Sequence, residues 1–146
     1  GSSVNAKNLG DRLEKVSAMI NEDNGSNRQA SVTVWTGQVE MMKEAIRPFN
    51  EAFPNWALSV RGTDTVGRSG GSDHASYAAR GVPAFMFGKE GPQRYGHIWH
   101  TQNDTFENAI PDNVRQMAAN MALMAYNLAS APTLLPRPPK AAPANQ

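Results

Sequence analysis

Short runs of two kinds alternate along this chain, and that alternation constrains its fold more than any other feature. Ser31-Val32-Thr33-Val34-Trp35 alternates in polarity and is β-branched, so it reads as a strand. From Gln38 to Asn50 the period changes. Val39, Met42, Ile46 and Phe49 recur at three- and four-residue steps and share one helical face. Pro48 removes a backbone donor and is expected to kink or end that helix. Trp56 to Arg61 alternates again and predicts another strand. Val16 to Ile20 and Val82 to Phe87 are apolar runs with the length of buried strands. Ala75 to Arg80 predicts a short helix stopped by Gly81. Pro111 fits the first turn of a longer helix. Its apolar stripe is Val114, Met117, Ala118, Met121, Met124, Ala125 and Leu128, with Asn113, Arg115, Gln116 and Asn120 off it. The methionines on that stripe read as core filler. Strands alternating with helices predict an α/β fold, a layered sheet with helices on its faces.

The 146 residues are enough for one domain with one sizeable core. The formal net charge is +1 and the charges are dispersed, with no Lys/Arg-rich run. Nucleic acid and anionic membrane are therefore not indicated as partners. Cysteine is absent, so any metal must be held by histidine and carboxylates. No apolar run approaches the roughly 20 residues of a membrane span. No signal peptide is present, though a mature or truncated chain would have lost one. Asn8 to Lys15 reads as a helix end or a connection. After Ala131 come Pro132, Pro136, Pro138, Pro139 and Pro143 with few apolar anchors. The domain is placed at 1–131, and the tail at 132–146 is expected to be extended and largely disordered.

The polar residues that could carry chemistry gather on either side of the Val82–Phe87 run. Gly70-Gly71-Ser72-Asp73-His74-Ala75-Ser76-Tyr77 precedes it, at the end of a Gly62–Gly71 loop long enough to be functional. Tyr95 to Thr105 follows it, and these two clusters contain all three histidines, His74, His97 and His100. On spacing alone, a metal or catalytic site and a polar surface with incidental histidines both fit. Further upstream, Asp23 lies in the acidic loop Asn21–Asn27 after the first strand. Ligands bind outside the carboxyl ends of strands in open α/β sheets, so Asp23 is placed where a metal ligand could sit. For an isolated Asp in such a loop, turn chemistry is the preferred reading.

Trp99-His100-Thr101-Gln102-Asn103-Asp104-Thr105 resembles the His-Thr-x-x-Asp-Thr segment of the co-catalytic zinc exopeptidases of clan MH, which include bacterial aminopeptidases and plasma glutamate carboxypeptidase. Gly71 to Tyr77 resembles that family's Ser-Asp-His-x-x-Phe segment. Gly81-Val82-Pro83-Ala84 resembles its Gly-Val/Ile-Pro-Ala strand entry. Ser17 to Gly25 resembles the strand that ends in a zinc-binding Asp. Together the four segments cover roughly residues 1 to 130. The resemblance implies a three-layer sandwich with a mixed, mostly parallel sheet, present as its C-terminal portion. It implies a cofactor of two zinc ions in the complete site, with Asp23 as a ligand of one and His100 as the last ligand of the other. Imidazole and carboxylate are suitable zinc donors, and paired ions activate water and polarise a carbonyl. Ser72, Asp73 and His74 are expected to support the ligands. Asp73 is alternatively the N-cap of the helix after it. Tyr95 and Trp99 are expected to wall the substrate pocket or to pack in the core, Asp104 to support or cap, and His97 to be a surface histidine. Relatives of this kind are often secreted or periplasmic.

The sequence also departs from the family pattern. It contains no His-x-Asp segment and no adjacent Glu-Glu pair. The family's general-base Glu and bridging Asp therefore have no counterpart, and no catalytic residue is assigned within this chain. The family's Glu-Glu-x-Gly-Leu-Leu-Gly-Ser motif ends in the pair Gly1-Ser2, so Gly1 is read as following a cleavage or truncation just past the catalytic Glu, in preference to an expression scar. The expected function is that of the C-terminal part of a zinc exopeptidase, of aminopeptidase type, inactive alone. Its partners would be the missing N-terminal half and a peptide substrate. A glutaminyl-cyclase-like acyltransferase, with its Trp-His-Thr context around a single zinc, and a non-catalytic binding module are the alternatives.

Overall fold

The computed structural model of the chain describes residues 1–65 and 71–138. Strands β1 (Met19–Asn21), β2 (Arg28–Trp35), β3 (Ser59–Thr63) and β4 (Ala84–Glu90) form one sheet in the order β1-β4-β2-β3. β1 pairs with β4 in parallel and β2 with β3 in parallel, while β2 and β4 run antiparallel. The sheet is thus mixed, with two of its three pairings parallel. The helices are α1 (Ser2–Leu9), α2 (Val39–Ala52), α3 (His74–Ala78), α4 (Tyr95–Ile98) and α5 (Pro111–Ala129). The α/β architecture is the one predicted from the alternation of periods.

Strand residues alternate between the two faces of the sheet. Phe85 lies beside Ile20, and Phe87 beside Val32, which pairs in turn with Val60. These side chains join Met42, Ile46 and Phe49 of α2 and Met124 and Leu128 of α5 in one apolar core. On the other face Asn21 reaches Ser72, just ahead of α3. α1 lies against α3, where Tyr77 donates its hydroxyl to Asn5 Oδ1 at 2.5 Å. Helices on both faces make three layers.

Several expectations are corrected. Pro48 does not end α2, which runs on to Ala52. Its missing N–H leaves only the carbonyl of Glu44 without its helical partner, on an exposed residue where water can serve. The next residue, Phe49, is fully buried and holds the helix on the sheet. Trp56 belongs to a 3-10 turn after Pro54, and the strand begins only at Ser59. Asn50 holds that connection by bonding both the N–H and the carbonyl of Leu58 at 2.9 Å. The last strand starts at Ala84 and extends past Phe87 to Glu90, because β2 continues to pair with it. Val16 to Ala18 precede β1.

The stripe on α5 is also different from the one expected. Gln116 and Asn120 face the sheet and are buried, at 1% and 0% exposure, whereas Val114 is 44% exposed. Their amides find partners on β2. Gln116 Oε1 accepts from the Gln29 N–H and its Nε2 donates to the Gln29 carbonyl, both at 3.0 Å. Asn120 Nδ2 donates to Gln29 Oε1 at 2.6 Å. A bulge between Gln29 and Ser31 interrupts the pairing with β4 there, so the backbone of Gln29 bonds to a helix side chain.

The tail is ordered over its first part. Leu135 is 1% exposed and its N–H bonds Ser17 Oγ at 3.0 Å. Arg137 donates to the carbonyls of Gly81, Leu13 and Val16. The expectation of a largely disordered tail does not hold for 132–138, while 139–146 lie outside the described residues, as do 66–70 of the loop before α3.

Candidate active site

β1 and β4 point the same way, so their carboxyl ends meet at one edge of the sheet, beside the start of the antiparallel β2. Three segments converge there: the Glu22–Asn27 loop, the Gly91–Thr105 segment containing α4, and Ser72 before α3. A cavity of about 320 Å³ opens between the first two, lined among others by Asp23, Gln93, Tyr95, Trp99 and Asp104.

Asp23 stands on the rim of that cavity. Its Oδ2 accepts a hydrogen bond from the Ser72 hydroxyl, and Ser72 Oγ in turn accepts from Asn21 Nδ2 at 2.6 Å. Ser72 thus links Asn21 to this carboxylate. Asp23 Oδ1 accepts no hydrogen bond among the described residues. Tyr95 and Trp99 stack at 5.9 Å between ring centroids and wall one side. Burial first, then the charges of Asp23 and Asp104, hold the Tyr95 hydroxyl above its usual pKa. Both aromatics are thus wall rather than core. Trp99 is 53% exposed, and Trp and Tyr side chains left open around a polar hollow offer a ligand an apolar surface.

His100 projects from the end of the same segment. Its φ is 58°, in the left-handed region that side-chain-bearing residues rarely adopt. The imidazole packs on Trp99 at 4.2 Å between ring centroids. Backbone strain of this sort tends to collect at functional sites.

The other expected residues divide. His74 is 9% exposed, and its Nδ1 has no hydrogen-bond partner. Burial lowers its pKa, against a smaller opposing pull from Asp23, so it sits within the electrostatic reach of that carboxylate. Asp73 occupies the N-cap position of α3 but makes no side-chain cap bond, so neither expected role is visible in its contacts. Asp104 lines the cavity without a side-chain hydrogen bond among the described residues. His97 is exposed and lies 3.2 Å from Asn103, as a surface histidine.

Polar residues outside the expected set hold the two loops together. Gln93 and Asn27 bond reciprocally, with Asn27 Nδ2 donating to the Gln93 carbonyl at 2.7 Å and the Gln93 N–H donating to Asn27 Oδ1 at 2.9 Å. The Gln93 amide also accepts from the Ser26 N–H at 2.8 Å and donates to the Asn108 carbonyl at 2.7 Å. Gly25 sits between them with φ of 78°, and a Cβ there would come within 2.5 Å of Gln93 Oε1. Asn and Gln in a loop look like ordinary turn residues, and no spacing in the sequence singles these out. Lys89, which bonds Glu22 and Gly25 of the first loop from β4, had a legible signal. It continues the inward parity of Phe85 and Phe87.

Among the described residues, no three His, Asp or Glu side chains converge as a metal-binding group. Asp23 and His100 offer two donors of the right chemistry, but a closed zinc site takes four and a catalytic one three protein donors. The residues present do not by themselves fit a zinc centre.

The profile of Peptidase family M28 matches residues 1–125. The crystal structure of a peptidase M28 precursor from Shewanella amazonensis SB2B is similar with a TM-score of 0.74 and 26% identity, over 96% of this chain and 30% of that one. An aminopeptidase from Aneurinibacillus sp. strain AM-1 aligns with a TM-score of 0.59 and 23% identity, over 96% of this chain and 32% of that one, a likeness of fold. The chain therefore spans about a third of the length of either. Comparison with curated proteins gives no match.

Proposed function

Because the chain belongs to peptidase family M28, we propose that it forms one half of an exopeptidase active site, of aminopeptidase type, whose zinc donors are shared with residues outside this chain. The observation that carries the reading is Asp23. Ser72 fixes one of its oxygens while the other has no hydrogen-bond partner among the described residues, at the mouth of an aromatic-walled cavity. In this reading Asp23 and His100 are ligands to different ions, Ser72 and His74 support Asp23, and Tyr95 and Trp99 hold the end of the peptide. Asp104 adds negative charge on the side facing them. Among the described residues, none of the cavity-lining side chains is basic. That balance suits the ammonium of a free amino terminus better than a carboxylate, through charge and through the aromatic faces.

The His-x-Asp and Glu-Glu elements that the resemblance requires would be supplied by a separate segment, so the chain alone is expected not to cleave peptides. The test is reassembly with a family segment carrying those elements, followed by hydrolysis of aminoacyl-nitroanilides. His100→Ala and Asp23→Asn are expected to abolish the activity while leaving circular dichroism and denaturation midpoint intact. Full activity of His100→Ala would sink the assignment. Turnover of glutaminyl peptides in place of nitroanilides would favour the cyclase alternative. Mass and N-terminal sequencing of native material would detect the companion segment, and its absence together with no zinc uptake would leave a binding module.

A further inference from the structure

Lys89 is the buried cation nearest the site, and the reading above gives it no part. It lies near the end of β4, on the face of Phe85 and Phe87, with a side chain only 8% exposed. Its ammonium pairs with the Glu22 carboxylate, donates to the Gly25 carbonyl at 3.3 Å and touches the Met117 sulfur. The other oxygen of Glu22 accepts from Gln29 Nε2 at 2.5 Å. Gln29 is itself held by Gln116 and Asn120. A line of polar groups thus runs from α5 across β2 to the underside of the Asp23 loop.

Burying an ammonium carries a large desolvation cost, and a buried ion pair is often no more stabilising than the apolar residues that could replace it. Fold stability alone is a weak reason for this pair. Its placement supplies another. Lys89 is bonded to the residue before Asp23 and to the residue two after it. Asn24, between those points, donates from Nδ2 to the Phe87 carbonyl at 3.0 Å. The arc containing Asp23 is therefore fixed at both flanks from below, and Ser72 fixes the carboxylate from the side.

We propose that Lys89 is a positioning residue that sets the direction of the Asp23 carboxylate by anchoring Glu22 and Gly25 on either side of it. The proposal rests on the reading of Asp23 as a functional carboxylate. An apolar side chain at position 89 would release Gly25 and leave the Glu22 charge without its cation, so Glu22 would turn toward the open cavity that it already lines. Asp23, one bond further along, would move with it.

The test uses amide hydrogen exchange on the 146-residue chain, with three variants. Lys89→Met keeps the stem and removes the charge. Lys89→Arg keeps the charge. Glu22→Gln with Lys89→Met removes both charges and guards against a fold lost only to an unpaired carboxylate. Lys89→Met, or the double variant if the single one does not fold, is expected to speed exchange about tenfold at Ser26, the loop amide that donates to Gln93, as for loss of a charge-assisted hydrogen bond. The ladder amides of Val32 and Phe87 should keep their protection, and Lys89→Arg should recover most of the loop's. Equal acceleration of loop and ladder would make Lys89 a general stabiliser and overturn the proposal. So would an unchanged loop, or failure of both Met-bearing variants to fold. In the reassembled enzyme, Lys89→Met should lower kcat with little change in KM, with partial rescue by Arg. Retained activity of His100→Ala would defeat the peptidase reading while leaving the exchange result to stand or fall separately.

Discussion

The sheet body and the loop rim of this molecule are held by different forces. In the body, Val32, Phe87, Met42, Ile46, Phe49 and Met124 are almost entirely removed from water, so dispersion and hydrophobic burial dominate. A polar seam within it, Gln29 with Gln116 and Asn120, is buried on both sides. The rim is nearly all exposed from Trp99 to Asn108. It is organised by side-chain amides and hydroxyls bonded to backbone, with Gln93 at the centre. The contrast teaches that the residues facing the cavity contribute little to keeping the chain folded. They are placed by a scaffold that does not need them, as binding loops commonly are.

Substitutions should break this division in a fixed order. Phe49→Ala in the body is expected to cost about 3–5 kcal/mol, read by chemical denaturation, because the cavity it leaves is hemmed in by α2, α5 and the sheet. Gln116→Leu should cost about 1–3 kcal/mol, since it strands the backbone of Gln29 at the bulge without partners. A loss under half of that would mean that the seam is dispensable. His74 lies at the border of the two regions. Its lowered pKa means that the unfolded chain takes up the proton first, so stability is present above the ordinary value of 6.5 and is lost as pH falls below it. Between about pH 7 and pH 5, the denaturation midpoint of the wild type should fall more than that of His74→Phe. An equal fall in both would place the pH sensitivity among the carboxylates. In the rim, His100→Gly relieves the left-handed backbone at the expense of the stack on Trp99. The net gain should be about 1 kcal/mol at most, accompanied by complete loss of activity in the reassembled enzyme. At the bottom of the scale is Lys43→Ala on the outer face of α2. It removes a pair with Glu40 that is 53% and 85% exposed on its two sides, and should shift stability by less than about 0.5 kcal/mol.

What could be read from residues alone follows the same division. β2 and α2 were legible because a single periodicity matches a single buried face, as Val32 and Val34 on one and Met42, Ile46 and Phe49 on the other demonstrate. α5 was legible as a helix but not in its facing. Hydropathy assigns Gln116 and Asn120 to solvent, and only the bulge in β2, a tertiary feature, supplies the partners that let them be buried. The rim shows the reverse pattern. Asp23, Ser72, Tyr95 and Trp99 were placed through the family resemblance, and the cavity gathers three of them while the fourth, Ser72, bonds Asp23. Asp73 earned a cap position from local pattern and makes no cap bond. Gln93 left no trace, because its role exists only once two loops far apart in sequence have met.

The strand order has a consequence for how the molecule comes into being. β4 is last in sequence yet lies between β1 and β2. β2, α2 and β3 form a contiguous unit that can pair as soon as it is made. β1 has no neighbour among the described strands until residues some sixty positions later insert beside it. Apart from the Gln29–Glu22 bond, the side-chain bonds described for the Asp23 loop cross a comparable gap, from Ser72, Phe87, Lys89 and Gln93. Contacts of such separation form slowly. The loop is therefore expected to be assembled in the final step of folding, so that no partly made chain presents a finished cavity edge to the cell.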